Sequence, residues 1–176
     1  MSTDIKILTL LVAAALIPSV VMFTSSRPGQ EKEAEKFFAE GNLQAAAASW
    51  EWLAAVRPSE DLYEKISVCY LCLGNKEQAR KWLEKGLTKF PHCANLIFNL
   101  ALLDYSERRH ESALGLLNAL VEKNPYFPEA YYLRGCIFEA QGRREEARKQ
   151  FVEEINHNPG SKKTWQKLKE LGNEKR

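Results

Sequence analysis

This chain has almost no excess of charge of either sign. Its 176 residues hold 25 Lys and Arg against 23 Asp and Glu, a net +2, too weak a field to mark a nucleic-acid binder or an acidic tail. Glycine and proline are scarce, at nine and seven, which excludes collagenous and low-complexity chains. Four cysteines are too few for a disulfide scaffold. Glycine-rich phosphate loops, nucleophile elbows and paired-acid constellations are lacking as well. His92, His110 and His157 have no repeated cysteine or carboxylate spacing beside them, so the sequence implies no metal, no cofactor and no small-molecule substrate. What is present is 45% hydrophobic and 27% charged residues, the composition of a folded domain with one core.

The apolar residues are unevenly spread. From Ile7 to Phe23 only Thr9, Pro18 and Ser19 interrupt an apolar run of 17 residues. As a helix rising about 1.5 Å per residue it covers roughly 26 Å, and extension through Ser26 with Lys6 reaching toward headgroups spans a hydrocarbon core of about 30 Å. Residues 1–26 are therefore expected to be a single-pass membrane anchor. The alternative is a cleavable export signal, since Lys6 precedes the run and small Thr24, Ser25 and Ser26 follow it. Lys and Arg counting, with Arg27, Lys32 and Lys36 after the run, leaves the remaining domain cytoplasmic, whereas the short polar N-terminus favours export; the side stays open.

The rest of the chain repeats. Pro58, Pro91, Pro125 and Pro159 are 33, 34 and 34 residues apart. Twelve residues before each stands an alanine (Ala46, Ala79, Ala113, Ala147), and eight before, a large apolar residue (Trp50, Leu83, Leu117, Phe151). Twenty-four before are small residues, Ala34, Ser67, Ala101 and Gly135. Twenty-one before are Phe37, Tyr70, Asp104 and Phe138, with Asp104 the one discord. Such offsets suit two antiparallel helices in close approach, the alanine admitting the neighbouring axis and the large residues filling the volume beside it. Turn signals separate the two helices at Gly41-Asn42, Gly74-Asn75 and Gly142-Arg143, with Arg108-Arg109-His110 standing in at the third unit. The proline closes the second helix. Helices are expected at about 28–40, 43–56, 60–73, 76–89, 94–107, 110–123, 128–141 and 144–157. A further helix at 161–172 follows, with Ser161 as its cap, Gly172 as its stop and Trp165 and Leu168 buried against the preceding unit.

With these residues the chain resembles the tetratricopeptide repeat family over about 27–159. The second unit (Tyr63, Ile66, Ser67, Tyr70, Gly74, Ala79, Leu83, Gly86, Pro91) and the fourth (Tyr131, Gly135, Phe138, Gly142, Ala147, Phe151, Pro159) carry the pattern best. The first is weaker, with Gln30 and Glu33 where apolar residues are usual. The resemblance implies an all-α fold: a right-handed α-solenoid of four tetratricopeptide helix hairpins (27–59, 60–93, 94–127, 128–161) plus a C-terminal capping helix, preceded by the N-terminal hydrophobic helix. Residues 27–176 then form one repeat domain.

Function in such a stack lives on its surface, in the groove that the family lines with the first helices of its pairs and commonly fills with a peptide or helix. Projection of the helical period places Glu64, Lys65, Val68, Leu71 and Cys72 there from the second unit. Asn95, Phe98, Asn99, Leu102 and Tyr105 come from the third, and Glu129, Tyr132, Leu133 and Cys136 from the fourth. Val68, Leu102 and Leu133 are equally suited to packing between repeats, whereas Phe98 and Tyr132, if exposed, call for a partner. Asn95 and Asn99, one turn apart, can donate to and accept from a bound backbone.

Residues 27–161 carry 18 basic and 20 acidic residues, a balance of −2 that favours an apolar, mildly basic protein segment. The lysine, asparagine and arginine clamp with which some relatives hold chaperone C-termini is represented only by Asn99, while Glu31 and Glu35 oppose it. Lys162, Lys163, Lys167 and Lys169 on the last helix are expected to form a solvated face rather than a nucleic-acid patch, since no stacking row of aromatics accompanies them. Catalytic residues are not expected. Cys69 and Cys72 share the spacing of redox dithiols, but they fall mid-helix in an apolar stretch, without the cation or helix N-terminus that a reactive thiolate needs. The expected function is a non-enzymatic, membrane-tethered scaffold that recruits a protein segment. The alternatives are an exported periplasmic chaperone of the same fold and, from another class, a thiol-disulfide enzyme using Cys69 and Cys72.

Overall fold

The computed structural model of the chain describes residues 28–173. The apolar run of the leader lies outside them; among the described residues, no helix is long and apolar enough to cross a membrane. These residues form α1 (Pro28–Ala39), α2 (Leu43–Val56), α3 (Glu60–Cys72), α4 (Lys76–Lys89), α5 (Ala94–Ser106), α6 (His110–Lys123), α7 (Ala130–Ala140), α8 (Arg144–His157) and α9 (Lys162–Asn173), with no strand among them. They divide after Asn75 into two compact units.

In the first unit α1 packs on α2 and α2 on α3. Ala34 and Ala46 are fully buried beside Trp50, and Leu53, Tyr63 and Ile66 complete the core. In the second, each helix from α4 to α9 packs on the next, and α5 also meets α7. Its main cluster joins Ala101, Ala113, Leu117, Ala130, Ile137, Phe138, Ala147 and Phe151. Every small, alanine and large residue of the repeat pattern is buried, so the offsets found in the sequence are those of the helix contacts. The helix ends agree with the expected ones within two residues. The largest difference is at α7, expected from Pro128. There Glu129 takes φ 64°, a left-handed conformation that no right-handed α-helix continues, so the helix starts at Ala130, two residues later than expected.

The turns share one geometry. Gly41 donates its N–H to the Phe38 carbonyl (3.0 Å) and Asn42 to that of Phe37 (2.8 Å), closing α1 with a left-handed residue. Gly142 and Arg143 repeat the arrangement on Glu139 and Phe138. At the third repeat Arg108 occupies the glycine position with φ 60° and makes the same bond to Tyr105 (3.0 Å), followed by Arg109 to Asp104 (2.8 Å). A side chain with a Cβ is strained in that region, by about 1–2 kcal/mol. Arg108→Gly is therefore expected to stabilise the chain by up to about 1 kcal/mol once the extra freedom of glycine in the unfolded state is subtracted. A thermal melt checks this; a lower melting temperature would contradict the strained turn.

Asp104, the discord at the aromatic offset, is only 1% exposed. Its Oδ1 accepts from Arg80 Nη2 (2.5 Å) and Arg109 Nε (3.1 Å), and its Oδ2 from Ser112 Oγ (2.5 Å). Glu107 joins both arginines in the same cluster. The volume that an aromatic ring fills elsewhere is here filled by an ion-pair network tying α5 to α4 and α6.

The last helix differs from expectation in two ways. Trp165 is exposed, its indole N–H donating to the Pro159 carbonyl (3.0 Å). Burial is carried instead by Thr164, Leu168 and Leu171, at i, i+4 and i+7, a stripe that Trp165 misses by one residue, or about 100°. Gly172, expected as the stop, is itself helical.

Candidate functional site

Each first helix presents its outward positions differently. On α3, Glu64, Lys65, Val68 and Leu71 are half-buried and Cys72 is exposed. Lys65 Nζ lies 2.9 Å from Asp61 Oδ2, one turn earlier, and 3.4 Å from Glu35 Oε1 on α1. It also stands 5.5 Å from the centre of the Trp50 ring. Burial alone would lower the Lys65 pKa, but the Asp61 and Glu35 carboxylates outweigh it and hold it above the ordinary lysine value, so the ammonium is charged at neutral pH. These groups line a pocket of about 320 Å³ with Phe38, Glu64 and Val68. The period of α3 alone found Glu64, Lys65 and Val68 but not Phe38, Trp50 or Asp61. The available signal was the doublet Phe37-Phe38: only one of two adjacent helical aromatics can face inward, and Phe38 is 40% exposed.

On α5, Asn95 is exposed, Asn99 half-buried, and Leu102 is 41% exposed. Phe98 rests on Phe127 with ring centres 5.2 Å apart, and Tyr105 on the His110 ring at 6.0 Å. Both aromatics are half-buried, so they contribute to packing as well as to surface. On α7 the expected groove residues are divided. Leu133 and Cys136 are buried and join the core rather than facing a ligand, because the inward stripe of α7 includes them. Glu129 and Tyr132 lie under α9: Lys163 Nζ is 2.7 Å from Glu129 Oε1 and 4.3 Å from the centre of the Tyr132 ring. Lys167 pairs with Glu139 at 2.8 Å. Two of the four lysines expected on a solvated face thus fasten α9 to α7.

Tyr132 is also coupled to a second feature. Its backbone N–H, in the first turn of α7, donates to Glu154 Oε2 (3.3 Å) from α8. Glu154 is 1% exposed and stands where the other repeats carry Leu53, Gly86 and Leu120. Because Glu129 makes no side-chain cap, the α8 carboxylate supplies an acceptor at the positive end of α7.

Two of the thiols are shifted by their surroundings. Burial, with the neighbouring Cys72, pushes the Cys69 thiol up to about 11, the opposite of what a nucleophilic thiolate requires. Burial likewise raises Cys136. None of the four cysteines, all of them among the described residues, forms a disulfide. Among the described residues, no group of three or more His, Cys, Asp or Glu is placed to hold a metal ion.

Comparison with known proteins identifies the fold and the family. A stretch of 68 residues is 34% identical to anaphase-promoting complex subunit 7 of Dictyostelium discoideum, covering 36% of this chain and 12% of that protein's length. The chain superposes on the crystal structure of MamA with a TM-score of 0.71 at 18% identity, covering 81% of this chain and 84% of that one. It superposes on YrrB, a tetratricopeptide repeat protein with an unusual peptide-binding site, with a TM-score of 0.68 at 17% identity, covering 77% of this chain and 71% of that one. At such identities these structures share the fold alone. The model of the tetratricopeptide repeat family matches residues 32–92 and 98–159, most of the chain, and with the phased turns and buried offsets above this makes it a member of the tetratricopeptide repeat family.

Proposed function

We propose that the chain is a non-enzymatic interaction module that binds a peptide or helix of a partner protein on first helices of its repeats such as α5 and is held at a membrane by residues 7–26. The observation that carries the binding part is Leu102, an aliphatic side chain 41% exposed on α5 with Asn99 one turn before it. An aliphatic anchor beside an amide that both donates and accepts suits a segment whose side chain and backbone are read together. The family resemblance and the peptide-binding site described for YrrB support the same mode. Full coverage of one such side chain contributes on the order of 1.5–3 kcal/mol before ordering costs, so several anchors are needed for a stable complex.

Selection of a random dodecapeptide library on the full chain tests this. Binders are expected, and Leu102→Glu combined with Asn99→Ala should weaken the selected peptides at least about tenfold, since each 1.4 kcal/mol is a factor of ten. Helicity and melting temperature should hold because Leu102 lies outside the core. A library without binders, or binding that the double variant leaves unchanged, would refute the assignment.

The leader adds concentration rather than contacts: confinement beside a partner raises its effective local concentration. Protease accessibility of the tagged chain in intact and opened cells, with N-terminal sequencing, tests the tether. An uncleaved N-terminus in the membrane fraction is expected. A mature soluble chain starting near Arg27 would replace the anchor with an export signal.

A further inference from the structure

The pocket of the first unit has a chemistry of its own. Its walls are apolar and largely flat: Phe38, 40% exposed, Trp50, 2% exposed, and Val68. Its rim is acidic, with Glu35, Asp61 and Glu64 against a single cation, Lys65, so the lining carries −2. That cation belongs to the pocket itself. Its ammonium is held between two carboxylates, from α1 and α3, and against the Trp50 ring. We infer that the pocket is a receptor for an arginine side chain of a partner protein segment, and that Lys65 is the internal occupant which this arginine displaces. The inference rests on the peptide-binding reading and specifies its ligand chemistry.

Three features select arginine. The planar guanidinium pairs with two carboxylates at once while laying its face on an aromatic ring, whereas an ammonium meets them only as a point charge. The volume, about 320 Å³, is at the small end of ligand pockets, which suits one side chain rather than a helix. Lys65 can also leave at little cost. Its contact with Asp61 is an i, i+4 pair at the rim, with Asp61 exposed and Lys65 half-buried, and its long stem can swing outward without any backbone change. After it leaves, Glu35 and Asp61 face the incoming guanidinium. An acidic ligand residue here would meet three carboxylates, so the pocket also rejects the acidic chaperone tails that cationic clamps accept.

The peptides selected on the full chain supply the probe. Arginine should be enriched in them. Replacing that arginine by citrulline, which keeps its shape and removes its charge, should weaken binding by about tenfold or more in calorimetric titration. In Glu35→Gln combined with Asp61→Asn the two peptides should bind alike. In Lys65→Met the arginine peptide should bind severalfold tighter than to the native chain. All three positions are at least partly solvent-exposed, and circular dichroism checks that the variants remain folded. Equal binding of the arginine and citrulline peptides to the native chain overturns the inference, as does a preference that survives loss of both carboxylates or a weaker complex in Lys65→Met. Selected peptides without arginine that still depend on Leu102 would leave the peptide-binding reading standing and remove the arginine pocket; a library without binders would remove both.

Discussion

Gly135→Val is expected to lower the unfolding free energy by about 3 kcal/mol, the upper part of the usual cost of overpacking. Gly135 is buried in the middle of α7, where glycine is a poor helix former, so propensity alone predicts that any side chain would help. Packing reverses the sign. A Cβ at Gly135 would lie 2.4, 2.6 and 2.9 Å from Cε1, Cδ1 and Cζ of Phe151, and that ring is fully buried on α8 with nowhere to turn. Gly115 supplies the control. It sits in the interior of α6 with open space where a Cβ would go, so Gly115→Ala should stabilise by about 0.5–1 kcal/mol, and Gly135→Ala should destabilise. Urea unfolding of the variants measures both. Equal effects would mean that α7 and α8 approach less closely than the repeat pattern requires.

Asp104→Ala should cost about 3 kcal/mol. The carboxylate is nearly inaccessible and accepts from Arg80, Arg109 and Ser112, so its removal leaves two guanidinium groups and a hydroxyl short of an acceptor on a part-buried face. The loss stays at the low end of the range for buried ion pairs because Arg80 and Arg109 are 21% and 47% exposed and both retain Glu107. Asp104→Asn keeps the shape but not the charge and should fall between the native chain and the alanine variant, as read by the urea midpoint. The effect should extend to the proposed binding face through α5. Arg80 on α4 and Ser112 on α6 fix that helix from two sides, and α5 carries Asn99 and Leu102. An Asp104→Ala chain that unfolds like the native one would show that the network adds nothing to holding α5.

The repeat frame was legible because helix packing imposes fixed offsets: small, alanine and large residues recur where the axes approach, and all of them are buried. Legibility failed where one repeat solved the packing problem by other means. Asp104 looked like a defect, since its compensating arginines lie 24 residues before and five after it, at spacings that no single helix period connects. Arg108 stood in for glycine, and only the backbone angle shows that it accepts the left-handed conformation. Leu133 and Cys136 were placed in the groove by period alone, which cannot tell the edge of the inward stripe from the surface. The spacing of Trp165 and Leu168 predicts that both are buried, but the stripe of Thr164, Leu168 and Leu171 leaves Trp165 one residue out of phase. The acid-rimmed pocket was only half visible, because it is assembled from α1, α2 and α3, and projection of α3 alone cannot bring Glu35, Phe38 or Trp50 beside Lys65.

Nuclear magnetic resonance of the isotope-labelled full chain, titrated with the tightest selected peptide, tests the binding face most directly. The largest shifts are expected at the Leu102 methyl groups and the Asn99 side-chain amide on α5. Shifts confined to the second helices α2, α4, α6 and α8, with Leu102 and Asn99 unmoved at saturation, would contradict the account.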